Sequence, residues 1–494
     1  MMPAVILRQR LFTGVCVVLC VALLGLTPVW ARSAPVAVGT PTLIRDVNPG
    51  GNSGLLTHLS YVEMIAIGGT LYFAGSTDAA GVELWKSDGT AAGTVMVKDI
   101  GPGVTGSRPT EFTELAGKLV FVANDGVHRS EIWISDGTEA GTVMVKDIHP
   151  SGSADPSQLT RSGNAVFFVA NDGVHAYELW KTDGIAAGTV LVKDITPGGT
   201  VAWPYTYQLG LTDVNGTLFF AQYAGSTYDW DLWKSDGSEG GTVMVKDFYG
   251  VSGGDWSLCN VNGVLFFAAA ALSGDAGMEL WKSNGSEAGT VQVKDINPTY
   301  NTGSNPTWLT ALNGRLFFVA DDGTNGKELW RSDGAESGTG MVKDIRPGGS
   351  SFDYLCENPP CMAAVADKLY FTANDGVHGA ELWTSDGTGT GTLLTRDINP
   401  GGNTIAGRIT AAGELAFFAS GTTNSGALGV SDGSEAGTKL IQSYDGVPAL
   451  LTVMGDWVYF AGKDAVHGTE LWGMRWRMPD LNIRLYLPLV RKSG

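Results

Sequence analysis

The chain has 494 residues and a net charge of −18, with 50 acidic residues against 32 basic ones. A surface of that sign repels nucleic acid and anionic lipid, because phosphate binding requires clusters of Lys and Arg, so we expect no nucleic-acid partner. Glycine at 69 positions and the lack of helical apolar spacing are typical of short strands joined by tight turns, which predicts an all-β protein.

Residues 1–31 have the pattern of a secretory signal peptide. Two arginines precede an uncharged apolar stretch, and Val29-Trp30-Ala31 resembles a cleavage site. An uncleaved anchor is the alternative, but the apolar run is short for the ~20 residues of a membrane span. We therefore predict an exported protein, secreted or associated with the cell surface, with no membrane span after signal removal. Residues 32–41 are predicted to be a short linker.

A long motif then repeats along the chain. Glu-Leu-Trp-x-Ser-Asp-Gly-Thr, followed by Gly-Thr and Val-Lys-Asp-Ile, returns about every 50 residues, a period typical of one supersecondary unit arranged many times. A degenerate copy surrounds Gly429. The tryptophans of the motif are Trp85, Trp133, Trp180, Trp233, Trp281, Trp330, Trp383 and Trp472.

One repeat, residues 305–348, divides into four short strands joined by Gly-containing turns, which is the size and order of a β-propeller blade. The array starts with an unaccompanied fourth strand at 42–47 and ends at 457–472 without a fourth strand. Complementary ends favour a closed ring over an open solenoid, because closure removes both free edges. We predict a closed β-propeller of about nine four-stranded blades over residues 42–472, the last blade completed by the N-terminal strand.

An acid and a base also recur 15 residues apart, as in Glu83 and Lys98. If Ser87 lies opposite Thr94, the two charges face each other across the third and fourth strands and fix the register. The degenerate copy has lost both charges together, which favours a structural role over catalysis. On this hypothesis Glu328→Ala lowers stability by no more than ~1 kcal/mol.

These copies resemble the bacterial proteins defined by the ELWxxDGT repeat, with residues 131–138 and 381–388 as close matches. The resemblance covers residues 42–472 and departs from the motif at Ile185, Ser238 and Ala335. It implies a secreted or surface-associated protein, presumed to be a propeller, with no catalytic residues to carry over.

The Asp-Gly pairs and the repeated histidines are the obvious candidates for metal ligands. Asp-Gly is also the pair that a tight turn requires, which we favour, although calcium at loops such as 124–126 stays open. His128, His175, His378 and His467 occupy one equivalent loop position in different repeats, too far apart to converge on zinc, so a hydrogen-bonding role is expected. We predict no catalytic residues, no metal ligands and no cofactor other than that possible calcium.

The fourth repeat is the most individual segment. Its extra aromatic residues offer rings on which a sugar or a peptide can stack, although a long loop that packs on itself is the alternative. The ligand-binding candidates are Trp203, Tyr205, Tyr207, Tyr228 and Trp230.

A second irregular loop, 351–362, holds Cys356 and Cys361, which are close enough in sequence for a structural disulfide in an oxidising compartment. Cys259 has no obvious partner and is predicted to be a buried small apolar residue. Residues 473–494 form a basic C-terminal tail, either a sorting address or a strand laid against the propeller.

The sequence therefore predicts an exported, non-catalytic propeller scaffold that binds a carbohydrate or an extracellular protein at or outside the cell surface. A secreted propeller hydrolase or lyase acting on polysaccharide is the alternative, because one fold serves many chemistries.

Overall fold

The computed structural model describes residues 37–50, 52–55, 63–197, 210–223, 230–248, 258–271, 277–299, 302–352, 361–404, 406–422 and 425–477. This part of the chain forms nine four-stranded antiparallel sheets, the blades of a β-propeller, as predicted. Each of blades 1 to 8 runs from an innermost to an outermost strand in chain order.

The strands of the first five blades are, in order from the inside, β2 Met64–Ile67, β3 Thr70–Thr77, β4 Gly81–Ser87 and β5 Val95–Lys98; β6 Thr110–Leu115, β7 Lys118–Asn124, β8 Ser130–Ser135 and β9 Val143–Lys146; β10 Ser157–Ser162, β11 Ala165–Asn171, β12 Tyr177–Thr182 and β13 Val190–Lys193; β14 Thr212–Val214, β15 Thr217–Tyr223, β16 Trp230–Ser235 and β17 Val243–Lys246; and β18 Leu258–Val261, β19 Val264–Ala269, β20 Glu279–Ser283 and β21 Val291–Lys294.

Blades 6 to 9 follow the same order, and two 3-10 turns, at Ala186–Gly188 and Glu336–Gly338, lie in the turns before β13 and β25. The strands are β22 Thr307–Leu312, β23 Arg315–Asp321, β24 Lys327–Ser332 and β25 Gly340–Lys343; β26 Met362–Val365, β27 Lys368–Asn374, β28 Ala380–Ser385 and β29 Leu393–Leu394; β30 Ala406–Ala412, β31 Leu415–Thr422, β32 Ser425–Ser431 and β33 Lys439–Tyr444; and β34 Ala449–Met454, β35 Trp457–Asp464 and β36 Gly468–Arg475, with β1 Thr42–Arg45 outermost.

The N-terminal strand β1 completes blade 9, which confirms the predicted closure. β1 pairs antiparallel with β36, with Leu43 opposite Trp472. On the inside of the ring, Thr452 Oγ1 of blade 9 donates to the carbonyl O of Met64 in blade 1 at 3.2 Å. One apolar cluster also spans the two blades, so the edges that β1 and β36 would otherwise expose are covered.

The core lies between neighbouring blades. The second strand of each blade is apolar at almost every position because both faces of the sheet are covered. In blade 6, Phe317 packs towards blade 7 and Phe318 towards blade 5, since successive side chains of a strand point to opposite faces. Burying each ring contributes about 1.5–3 kcal/mol, and this alternation repeats around the ring.

The register between the third and fourth strands begins as predicted. Ser87 Oγ and Thr94 Oγ1 lie 2.7 Å apart, and Trp85 is opposite Met96. The same hydroxyl pair closes the turn in seven further blades, from Ser135–Thr142 to Ser431–Thr438.

The predicted pairing of Glu83 with Lys98 is wrong. A β-bulge interrupts the pairing between Leu84 and Trp85, so Lys98 lies opposite Leu84 rather than Glu83. Val97 is the extra residue of the bulge, and one extra residue shifts every later pair by one position. The acid and the base therefore point to different partners in every blade where the bulge recurs.

Candidate functional site

The repeated glutamate of the motif is a buried structural acceptor. Glu83 accepts hydrogen bonds from the backbone N–H groups of Ile100, Gly101 and Ser107 and from the Ser107 hydroxyl, at 2.5 to 3.1 Å. Glu83 thereby fixes the segment that connects the outermost strand of its blade to the innermost strand of the next blade. Equivalent glutamates, each at most 2 % exposed, are Glu131, Glu178, Glu279, Glu328, Glu381 and Glu470.

Blade 8 shows what the glutamate replaces. There Ala427 occupies its position, and the outermost strand continues to pair, with Ala427 opposite Ser443 and Gly426 opposite Tyr444. In the blades that carry the glutamate, the outermost strand ends earlier. The glutamate carboxylate there accepts hydrogen bonds from N–H groups that would pair with the third strand if the outermost strand continued. Burial raises the pKa of Glu131, Glu328 and Glu470 to about 7.

In most blades the repeated base links the blade to the next one. Lys98 Nζ donates to the carbonyl O of Thr142 at 2.8 Å and lies 6.0 Å from the centre of the Trp133 ring, both in blade 2. The same hydrogen bond joins Lys146 to Thr189, Lys193 to Thr242, Lys294 to Thr339, Lys343 to Thr392 and Arg396 to Thr438.

The Asp-Gly pairs form tight turns, as predicted. Asp88 Oδ1 accepts from the N–H and the hydroxyl of Thr90 at 2.9 and 2.7 Å, and Gly89 has a φ of +92°. These hydrogen bonds lower the pKa of Asp88. Among the described residues, no group of three or more His, Cys, Asp or Glu is placed to hold a metal ion. Calcium at these loops stays a prediction.

The four repeated histidines each bond an aspartate three residues earlier, which confirms the hydrogen-bonding interpretation. Nδ1 lies 2.7 to 2.8 Å from the aspartate Oδ2, and this contact raises the pKa of each histidine. The pairs are His128–Asp125, His175–Asp172, His378–Asp375 and His467–Asp464.

Polar residues that do not repeat gather on the innermost strands, which border the centre of the ring. One set lies at a β-bulge in the innermost strand, two residues before a position that is often threonine. The residue at this bulge has a positive backbone φ in several blades. We call it the bulge position. It is occupied by Glu111, Gln158, Trp308, Arg408 and Leu450 in blades 2, 3, 6, 8 and 9, and in blade 1 Glu63 takes the equivalent place just before β2.

Two glutamates at the bulge position lie in adjacent blades. Glu63 Oε2 accepts from the N–H of Phe112, the residue after Glu111, at 2.5 Å, and Glu111 Oε2 accepts from the N–H of Leu159 at 3.1 Å. Burial, together with the charge of Glu111, raises the pKa of Glu63 to about 7. Burial also raises the pKa of Glu111 and lowers that of Arg408.

A second set of non-repeating polar residues lies three residues further along the innermost strands of blades 2 to 5. Arg161 forms an ion pair with Glu114, and Asn260 Nδ2 donates to the carbonyl O of Asp213 at 3.1 Å. The Ser162 hydroxyl donates to the Asp213 carboxylate and links blades 3 and 4. The equivalent residues of blades 1, 6, 7 and 8 are alanines: Ala66, Ala311, Ala364 and Ala411.

The polar members of these two sets that lie on blades 1 to 5 form what we call the polar arc: Glu63, Glu111, Gln158, Glu114, Arg161, Asp213 and Asn260. The repeated motif does not predict the arc, because these residues are not part of the motif. Aligning the nine innermost strands by their following turns exposes the signal, since these positions change from blade to blade.

The predicted aromatic site falls outside what the structure describes. Trp203, Tyr205, Tyr207 and Tyr228 lie outside the described residues, and of Trp230 only the backbone, at the start of β16, is described. Their role in binding stays a prediction, as does that of the basic tail beyond residue 477.

The cysteines divide in the same way. Cys361 is buried and takes part in a disulfide, but Cys356 lies outside the described residues, so their pairing stays a prediction. Cys259 is a free thiol that packs against the core between blades 5 and 6. Burial raises its pKa to about 11, consistent with an unreactive apolar residue.

No helix in the described part of the chain is long and apolar enough to cross a membrane.

No protein-family model and no curated protein matches the chain. Among solved structures it is similar to a puromycin hydrolase, with 13% identity over 87% of this chain and 62% of that one and a TM-score of 0.41. It is also similar to a protein from a study of two prolyl endopeptidases, with 12% identity, 72% and 53% coverage and a TM-score of 0.40. This chain thus covers less than two thirds of either protein.

A third similar structure is the β-propeller domain of the Trilobed protease from Pyrococcus furiosus, with 10% identity over 68% of this chain and 98% of that domain and a TM-score of 0.36. At these scores the likeness carries no functional argument.

Proposed function

We propose that this chain is an exported, non-catalytic propeller of the ELWxxDGT-repeat type that binds a carbohydrate or an extracellular protein. The ligand is bound at the polar arc on the innermost strands of blades 1 to 5, with the aromatic residues of the fourth repeat as further contacts.

One observation supports this proposal above the others. The repeated acids, bases and histidines bond to the framework, which accounts for their presence in blade after blade. The framework does not require a polar side chain at the position of Glu114, Arg161, Asp213 and Asn260, because four other blades carry alanine there and still form the same sheet. Polar side chains that break the repeat beside the ring centre are therefore the better ligand contacts.

A second candidate function, cleavage of polysaccharide by a hydrolase or a lyase, has its own support. Glu63 and Glu111 are neighbouring carboxyl groups, and burial raises the pKa of both. Glycosidases use a pair of carboxyl groups, one of them held protonated near neutral pH. Here both carboxyl groups accept a hydrogen bond from a backbone N–H, which binds them to the framework. This favours the non-catalytic function proposed above over the enzymatic one.

The test uses the mature protein from residue 32 onwards. It is screened for binding to a glycan array and to purified extracellular proteins, and for release of reducing ends from the same glycans. We expect binding without turnover, weakened by Glu111→Gln, an isosteric change that keeps an oxygen to accept the Leu159 N–H. The control is Glu139→Gln, an exposed change in an outer turn of the same blade.

Turnover that Glu63→Gln or Glu111→Gln abolishes would establish the enzymatic alternative. Binding that both the Glu111→Gln and Glu139→Gln variants retain unchanged would remove the polar arc from the site.

A further inference from the structure

A crevice opens between blades 3 and 4 on the face of the ring that carries the Asp-Gly turns. Its volume is about 510 Å³, whereas the equivalent crevice between blades 5 and 6 measures about 160 Å³. A volume of 300 to 1,000 Å³ is typical of ligand sites. The two crevices are built from equivalent strands and turns, so the difference must come from particular side chains.

The turn after the innermost strand accounts for the difference. In blade 5 this turn carries Asn262, and its Nδ2 packs so closely on the next blade that a β-carbon on Gly314 would lie 2.7 Å from it. In blade 3 the same position is Gly163, and among the described residues no atom lies within 4 Å of where a β-carbon on the facing Gly216 would stand. Ala165 in place of Val264 widens the opening further.

Acidic oxygens line the open crevice. Asp183 Oδ1 accepts from the N–H of Ile185, and Asp236 Oδ1 accepts from the N–H and hydroxyl of Ser238. Among the described residues, neither Oδ2 atom receives a hydrogen bond. Of the described residues that line the narrow crevice between blades 5 and 6, only Asp333 supplies a carboxylate, because Asn284 stands where blade 3 has Asp183.

The donors and apolar surfaces of the crevice limit what fits there. Lys181 also lines it, and its Nζ donates to the carbonyl O of Gly237 at 2.7 Å. The hydrogen bonds from Ser238, and to a smaller extent the charge of Lys181, lower the pKa of Asp236, so one ammonium group stands against two carboxylates. Phe167, Ala165 and Val190 supply apolar wall. Two carboxylates against one ammonium group leave the crevice with a net negative charge, which favours a positively charged guanidinium, with its five donors, over a neutral sugar.

We propose that this crevice receives an arginine side chain of an extracellular protein or peptide. The aliphatic stem lies along the apolar wall, and the guanidinium bonds Asp183 and Asp236. The net charge of −18 steers cationic ligands towards the chain. This site lies at the Asp-Gly turns of blades 3 and 4, and it is a different site from the polar arc.

The probe is the peptide acetyl-Gly-Arg-Gly-amide, titrated into the mature protein and followed by NMR. Its control is the same peptide with citrulline, which has the shape of arginine without the charge. Gly163→Asn should abolish binding by rebuilding the closed crevice of blade 5, where Asn262 has a φ of +52°, close to the +59° of Gly163.

Asp183→Asn and Asp236→Asn should each weaken binding about threefold, as expected for exposed ion pairs. The turn is preserved in these variants, because Asn284 closes the equivalent turn of blade 5 with a hydrogen bond to Ser286. Asp333→Asn, in the narrow crevice, is the matched control and should leave binding unchanged.

Equal binding of the citrulline peptide, no binding of the arginine peptide at millimolar concentration, or wild-type affinity in the Gly163→Asn protein would each overturn the proposal. If the Gly163→Asn protein does not fold, the affinities of the Asp183→Asn and Asp236→Asn variants test the proposal, and wild-type affinity in both would overturn it. Glu111→Gln should not change binding of this peptide, so failure here is distinguishable from failure of the polar-arc site.

Discussion

Replacing Glu328 with alanine should cost far more stability than an exposed ion pair would. Glu328 is fully buried and accepts from the N–H groups of Ile345 and Arg346 at 3.0 and 3.3 Å and from the Ser351 hydroxyl at 2.6 Å. Alanine leaves these donors without an acceptor, and each buried unsatisfied donor costs about 1–3 kcal/mol. Some N–H groups regain water, so we expect a loss of about 3 kcal/mol rather than the full sum.

The matched control is Lys343→Met in the same blade. Lys343 donates to the carbonyl O of Thr392 at 2.8 Å and lies 5.6 Å from the Trp383 ring centre, so its loss should cost about 1 kcal/mol or less. Urea unfolding followed by tryptophan fluorescence gives both values. Equal, small losses for the two variants would restore the ion-pair hypothesis and refute the role assigned to the buried carboxylate.

Two further predictions concern pH and closure. The folded-state pKa of Glu131, Glu328 and Glu470 is about 7 against 4.5 for a free glutamate, so their contribution is full below pH 4.5 and is lost as pH rises through about 7. The free energy of unfolding should therefore rise as pH is lowered from about 8 to about 5, and a flat or opposite slope in urea titrations would contradict this. Ile44→Asp should detach β1 from blade 9, lower the melting temperature and cause aggregation through the exposed edge of β36, measured by light scattering; an unchanged monomer with wild-type melting would contradict closure by β1.

The blade count, the closure and the turns were predictable because the motif repeats. Each copy of Asp-Gly specifies a turn locally, and the offset ends of the array specify which strands must meet. The Glu83–Lys98 error has a local cause, since a bulge at Val97 leaves no mark in the spacing of the charges. Which blade Lys98 reaches depends on how neighbouring sheets pack, and this is a tertiary property.

The polar arc could be found only in part from the sequence. Glu63 lies just before β2 and Glu111 lies in β6, and their proximity arises because adjacent blades place equivalent positions side by side. The crevice between blades 3 and 4 depends on a missing side chain at Gly163. The effect of this missing side chain is seen only by comparison with blade 5, where Asn262 occupies the same position.

The most direct test of the account compares non-repeating with repeating residues against a ligand found in the screen. The dissociation constant and the melting temperature are measured for Glu111→Gln and for Glu328→Gln. We expect weaker binding at an unchanged melting temperature for Glu111→Gln, and a lower melting temperature at unchanged affinity for Glu328→Gln. The reverse pattern, with binding lost at Glu328 and kept at Glu111, would contradict the claim that function lies in the residues that break the repeat.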